Sequence, residues 1–286
     1  MGLFSFGKGK ARSVALIDIS SASVGGAYAH IEPGKLPVIY YAARVEIVRR
    51  DEETLTESML RSLAFLGELM NAEGAPQLRR ETGSGSVSEV IATISAPWQE
   101  SAVTTTRIEE ERPFTFTHAH LTAAAGKDTL GEDRISSGQT VIATILNGYR
   151  VEHPVGKRAS RAETVMLTSN LDRQAAHAVR AALRKTFHSS HIRVEALAPV
   201  VYASFRTLYP HQEDFIVLEV SGAATCMLLV KRGLLAGISS VPQGTHDLAQ
   251  AARKAGVRAH EGASLMLDES ANESFAKDTQ SIESAW

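Results

Sequence analysis

Two stretches near opposite ends of the chain share one pattern, and that repetition constrains the fold more than any other feature. The first, from Val14 to Ile31, is an apolar run that closes on Asp18. A turn holding Ser20, Ser21 and Ser23 follows, and then a returning run. The second, from Phe215 to Val230, is an apolar run that closes on Glu219. Its turn holds Ser221, Gly222 and Thr225, and it also returns. Each reads as a buried strand, a tight turn and a second strand. Serine hydroxyls and free turn amides can cradle a phosphate. A carboxylate beside them can hold Mg²⁺ through water, and Asp18 is placed for that role. One such hairpin is ordinary structure. Two, each opening its own α/β half, suggest a duplicated protein that clamps a ligand between facing turns.

The chain is long enough for one large core or two ordinary ones, at 286 residues of which 44% are hydrophobic. A formal charge of −2 gives no global pull towards nucleic acid or an anionic membrane. The single cysteine, Cys226, excludes an intrachain disulfide framework and fits a reducing compartment. No apolar run approaches the roughly 18 residues of a membrane span. Residues 1–12 form a basic, Gly-containing tail with Lys8, Lys10 and Arg12, suited at most to a peripheral membrane contact.

Between the hairpins the pattern alternates. Asp51 to Thr54 opens a helix whose Leu55, Met59, Leu63, Leu66 and Met70 share a face. Gly74, Ala75 and Pro76 are expected to stop it, and a polar Ser/Gly joint leads to Ser88. Residues 89–95 and 101–109 read as strands, and Thr117 as the cap of a helix reaching Ala125. The pair Asn147-Gly148 is a hairpin signal. Residues 163–169 read as a strand, with Asn170 capping a helix that buries Leu171, Ala175, Val179, Leu183 and Phe187. A strand over 192–197, an Ala-rich helix to Tyr209, a strand over 234–241 and a helix from Thr245 complete the series. The remainder is polar and reaches Trp286 in what reads as a helix.

This layout resembles the actin-like ATPase superfamily, in which the two hairpins are the phosphate-1 and phosphate-2 loops. Within it the chain looks like the bacterial relatives FtsA and PilM. The segment IDISSASV at 17–24 is similar to the PilM form of phosphate-1. Residues 90–125 at the place of an inserted SHS2 subdomain, HPVG within 147–163, and VPQGT at 241–245 are similar to FtsA. The resemblance implies an α/β, actin-like (ribonuclease H-like) fold. Subdomain 1A would take 13–86 and 160–210, an SHS2-like insertion 87–159, and part of subdomain 2A 214–286. It implies ATP and Mg²⁺ as ligands, with Asp18, Ser20, Ser21, Ser23, Glu219, Ser221, Gly222 and Thr225 as contacts. It implies a cytoplasmic, FtsA-like division adaptor at the inner face of the membrane, which contacts itself and an FtsZ-like protein. A PilM-like scaffold that holds a pilus membrane-protein peptide is the alternative, and a pseudo-ATPase interaction module the third. Several departures weigh against hydrolysis. Serine stands for the usual loop glycines at Ser20 and Ser221, Gly25 for the usual basic residue, and Glu219 for the usual aspartate. No adenosine motif occurs before Trp286, so the second lobe is expected to be incomplete.

Other chemistries fare worse. Residues 155–160 lack the leading glycine of a P-loop. His118 with His120, and His188 with His191, have no further ligands at zinc spacing and read as surface or capping groups. Cys226 lies in an apolar strand, where thiols are inert. No serine sits in a Gly-x-Ser-x-Gly elbow. An active sugar kinase would need a cleft aspartate and a complete adenosine site.

Overall fold

The computed structural model describes residues 11–126 and 131–254, without the side chains of 252 and 253. The basic tail before residue 11, Ala255 and the segment ending at Trp286 lie outside them. In chain order the elements are β1 (Arg12–Ile19), β2 (Ser23–Ile31), β3 (Val38–Glu46), α1 (Leu55–Leu69), α2 (Ala75–Thr82), β4 (Glu89–Ile94), β5 (Gln99–Thr115), α3 (His118–Ala125) and β6 (Arg134–Leu146). They continue as β7 (Tyr149–Arg150), β8 (Arg158–Asp172), α4 (Arg173–Phe187), β9 (Ile192–Ala196), α5 (Leu197–Leu208), β10 (Phe215–Val220), β11 (Thr225–Lys231), β12 (Leu234–Val241) and α6 (Thr245–Lys254).

Among the described residues these strands form three sheets. The first has the order β3-β2-β1-β4-β9. Strands β1, β2 and β3 form an antiparallel meander, while β4 and β9 join parallel to β1. Alternation along β1 and β4 sends Ile17, Ile19, Val90, Ala92 and Ile94 to one face. There they meet Leu63 and Leu66 of α1 and Val179 and Leu183 of α4, which makes the main core. Helix α1 starts where the sequence indicates: the Thr54 hydroxyl accepts from the Glu57 amide, and the Glu57 carboxylate accepts from the Thr54 amide at 2.8 Å. Gly74 to Pro76 do not end it. Residues 70–74 make a π turn and α2 carries on to Thr82, where Gly83 takes a left-handed conformation. Gly74 is needed for packing, because a Cβ there would lie 2.7 Å from the Tyr41 ring and 2.8 Å from that of Tyr28. Pro76 sits in the first turn, where a missing N–H costs nothing.

The second sheet, antiparallel in the order β5-β8-β6-β7, lies between β4 and β9 in sequence. Its limits differ from the expected insertion at 87–159. Strand β4 pairs on both edges within the first sheet, and residues 158–172 are one continuous strand paired to both β5 and β6. That pairing also displaces the cap of α4. Asn170 and Leu171 remain in β8, and the Asp172 carboxylate accepts the Ala175 amide at 2.7 Å. The turn at Asn147 and Gly148 closes β6 onto β7 with positive φ at both residues, as its sequence indicates. The segment at 155–160 runs into strand β8 rather than a helix, so it is no P-loop.

The third sheet, β10-β11-β12, lays Val217, Cys226 and Leu228 against Ile142 and Leu167 of the second. Its first strand is not fully buried as expected from its unbroken apolar run. Ile216 and Leu218 point outward, 59% and 60% exposed.

Candidate functional site

The two hairpins meet at their turns. In the first, the Ser20 amide donates to the Ser23 carbonyl at 3.0 Å, and the Ser20 hydroxyl donates to the same oxygen at 3.1 Å. In the second, the Ser221 amide and hydroxyl donate to the Ala224 carbonyl at 2.9 and 2.8 Å. Ser20 and Ser221 are thus geometric counterparts, and the repetition read from the sequence is a repetition in space.

Ser21, fully buried, joins the turns. Its hydroxyl donates to Ser221 Oγ at 2.9 Å and accepts the Ala223 amide at 2.8 Å. The Ser20 oxygen accepts the amides of Ala22 and Ser23 at 3.3 and 3.2 Å, so it fills its own turn. Gly222 allows the close approach, since a Cβ there would lie 2.8 Å from the Ser21 carbonyl oxygen. Helix α6 abuts the second turn, and its Thr245 and His246 amides donate to the carbonyls of Ser221 and Gly222 at 2.9 Å each. Thr225 turns away and donates to the Gln243 carbonyl at 2.8 Å.

The acids flank this junction. Asp18 pairs with Arg44 of β3 at 2.8 Å, and the same guanidinium donates to the Ser23 hydroxyl at 2.7 Å. Gly25 and Arg44 are register partners, and the guanidinium lies over Gly25. A cation therefore does stand beside the first turn, although it comes from the neighbouring strand. Glu219 is half-buried beside buried Ser95, at the end of β4. Burial pushes its carboxyl up from the ordinary 4.5 to about 7, a Ser95 hydrogen bond opposes this, and nearby Asp18 adds to it. Burial, with Glu219 opposite, likewise pushes the Cys226 thiol up to about 11, which leaves it inert. His120 caps α3, its Nδ1 accepting the Thr117 amide at 2.9 Å. Among the described residues no group of three or more His, Cys, Asp or Glu side chains could hold a metal.

Phosphates need free amides, and the amides of Ala22, Ser23 and Ala223 are taken by serine oxygens. A magnesium shell needs a free carboxylate, and Asp18 is held by Arg44. In this arrangement those amides and Asp18 are engaged by the protein's own groups, in the places ATP and Mg²⁺ would use. Sequence reasoning found the turn serines and both acids, and missed Arg44, Ser95 and His246. The VPQGT segment marked the approach of α6, but its sequence does not show which turn it would close on.

On the face of the first sheet away from α1 and α4 a groove of about 600 Å³ runs from Ile31 past Ala27 to Arg44, with Leu16, Ile91 and Val200 of α5 along it. Small residues on β2 and β3 leave its floor low.

No family model and no curated protein matches the chain. Solved structures do. A chain of a PilM–PilN type IV pilus biogenesis complex superposes with a TM-score of 0.58 at 13% identity, over 95% of this chain and 72% of that one. The fold is actin-like. Two further structures align more loosely. A Bacteroides thetaiotaomicron protein with an actin-like ATPase fold and unknown function has a TM-score of 0.42 at 13% identity, over 90% and 82% of the two chains. MreB 5 of Spiroplasma citri, solved with AMPPNP, has 0.38 at 8%, over 85% and 56%. The first hairpin belongs to the sheet β3-β2-β1-β4-β9 and the second to the sheet β10-β11-β12, and the two meet through Ser21 and Ser221.

Proposed function

We propose that the chain is a PilM-like scaffold of type IV pilus assembly that works at the inner face of the cell membrane by holding a short peptide of a pilus membrane protein. The observation that carries this is the likeness along nearly the whole chain to a PilM–PilN pilus complex. That likeness supports the pilus reading, while the FtsA-like reading rests on short sequence segments. The groove over Ala27 is the proposed peptide seat, since it combines an apolar floor with the Arg44 and Glu195 charges at its rim. Among the described residues no helix is long and apolar enough to cross a membrane.

The experiment is a pull-down and titration of the full chain against the cytoplasmic peptide of the pilus membrane partner, with an FtsZ-like protein and the chain itself as parallel arms. Saturable binding of the peptide, lost in Ala27→Leu, supports the proposal. Binding of the FtsZ-like protein alone overturns it in favour of a division adaptor.

A further inference from the structure

We infer that the paired hairpins are a built-in latch that joins the two halves of the molecule without nucleotide. Three arrangements carry this, and none depends on the pilus proposal. In the first turn, consecutive amides at Ala22 and Ser23 converge as an anion nest would, and the oxygen at their focus is that of Ser20. The turn carries its own substitute for a phosphate oxygen. Across the junction, buried Ser21 uses both halves of its hydroxyl on the opposite hairpin, donating to Ser221 and accepting from Ala223. A group inserted between the turns would break both bonds. Behind the second turn, the N-terminal amides of α6, the natural dock for an anion, are spent on the Ser221 and Gly222 carbonyls. The Gly244 amide is likewise bound by Asp247 at 2.8 Å.

The charges agree with the hydrogen bonds. Asp18 and Arg44 neutralise each other at the mouth of the turn, so neither a metal nor a phosphate is required for charge balance there. The glycines complete the latch. Gly222 admits the Ser21 carbonyl, and Gly244 lies against the carbonyls of Ser221 and Gly222, where any side chain would collide with backbone.

The test uses the full chain and two variants, Ser21→Ala and Ser20→Ala. Amide hydrogen exchange is followed at Ala22, Ser23 and Ala223, and ATP with Mg²⁺, then inorganic pyrophosphate, are titrated calorimetrically. The expected results are no heat from either ligand with the wild type, and slow exchange at all three amides. Ser21→Ala should speed exchange at Ala223 by about tenfold, the effect of losing one satisfied buried bond, and leave Ala22 and Ser23 unchanged. Ser20→Ala should do the reverse. Saturable ATP–Mg²⁺ binding by the wild type overturns the inference. So does fast exchange at Ala223 in the wild type, or exchange there that ignores Ser21→Ala. Because Ser20→Ala acts in one turn only, it reads the nest even if Ser21→Ala fails to fold.

Discussion

Gly222→Ala tests the contact between the hairpins most sharply, because its cost follows from distances. The new Cβ would sit 2.6 Å from His246 Cε1 and 2.8 Å from the Ser21 carbonyl oxygen, against 3.4–4 Å for ordinary contact. His246 can rotate away. The Ser21 carbonyl cannot, because the flanking residues are tied by Ser20, so the turns must part by 3.4 − 2.8 = 0.6 Å to restore ordinary contact. The two bonds of Ser21, at 2.9 and 2.8 Å, stretch or break with that movement. Overpacking costs about 1–3 kcal/mol and each lost bond about 0.5–1.5 kcal/mol. Partial relaxation brings the expected total to about 2–4 kcal/mol. Urea denaturation measures it as a lowered midpoint with the slope unchanged. Gly237→Ala is the control, since nothing lies within 4 Å of a Cβ there, and it should leave stability within about 0.5 kcal/mol of wild type. A Gly222→Ala protein as stable as the control would refute the turn-to-turn contact.

Further outcomes are expected. Glu219 titrates near 7 in the folded chain against 4.5 when free, so its burial is tolerated below pH 4.5 and its contribution is lost as pH rises towards 7. Glu219→Gln should therefore match wild type in acid and exceed it above pH 7, by about 1–3 kcal/mol after allowing for the solvent that still reaches the group, as read from denaturation midpoints across pH. Asp172→Ala should cost about 1 kcal/mol through loss of the α4 cap. Leu66→Ala, at a fully buried position between α1 and the sheet, should cost about 2–5 kcal/mol in the same assay.

The parts of the fold legible in the sequence are those set by local pattern. The Asp18 and Glu219 hairpins, the face of α1 from Leu55 to Leu66, and the Asn147-Gly148 turn all follow from spacing and turn chemistry. The misreadings have nonlocal causes. Asn170 has the chemistry of a helix cap, but β6 and β5 pair with β8 beyond it, and the strand keeps its ladder until Asp172. Gly74 and Pro76 have the chemistry of a helix stop, yet the rings of Tyr28 and Tyr41 call for a residue without a side chain inside a continuing helix. The same division holds for the candidate site. Its serines announce themselves by repetition, whereas Arg44 reaches Asp18 only through the register that sets it opposite Gly25. His246 arrives only because α6 caps the second turn.

The most direct measurement replaces Ser21 and Ser221 together by cysteine, at positions whose hydroxyl oxygens lie 2.9 Å apart. Mild oxidation of the nucleotide-free full chain should link the two hairpins, at a rate that ATP and Mg²⁺ leave unchanged, with buried Cys226 taking no part. Thiols that stay free, or a link that ATP–Mg²⁺ prevents, would contradict a junction closed by the protein's own side chains.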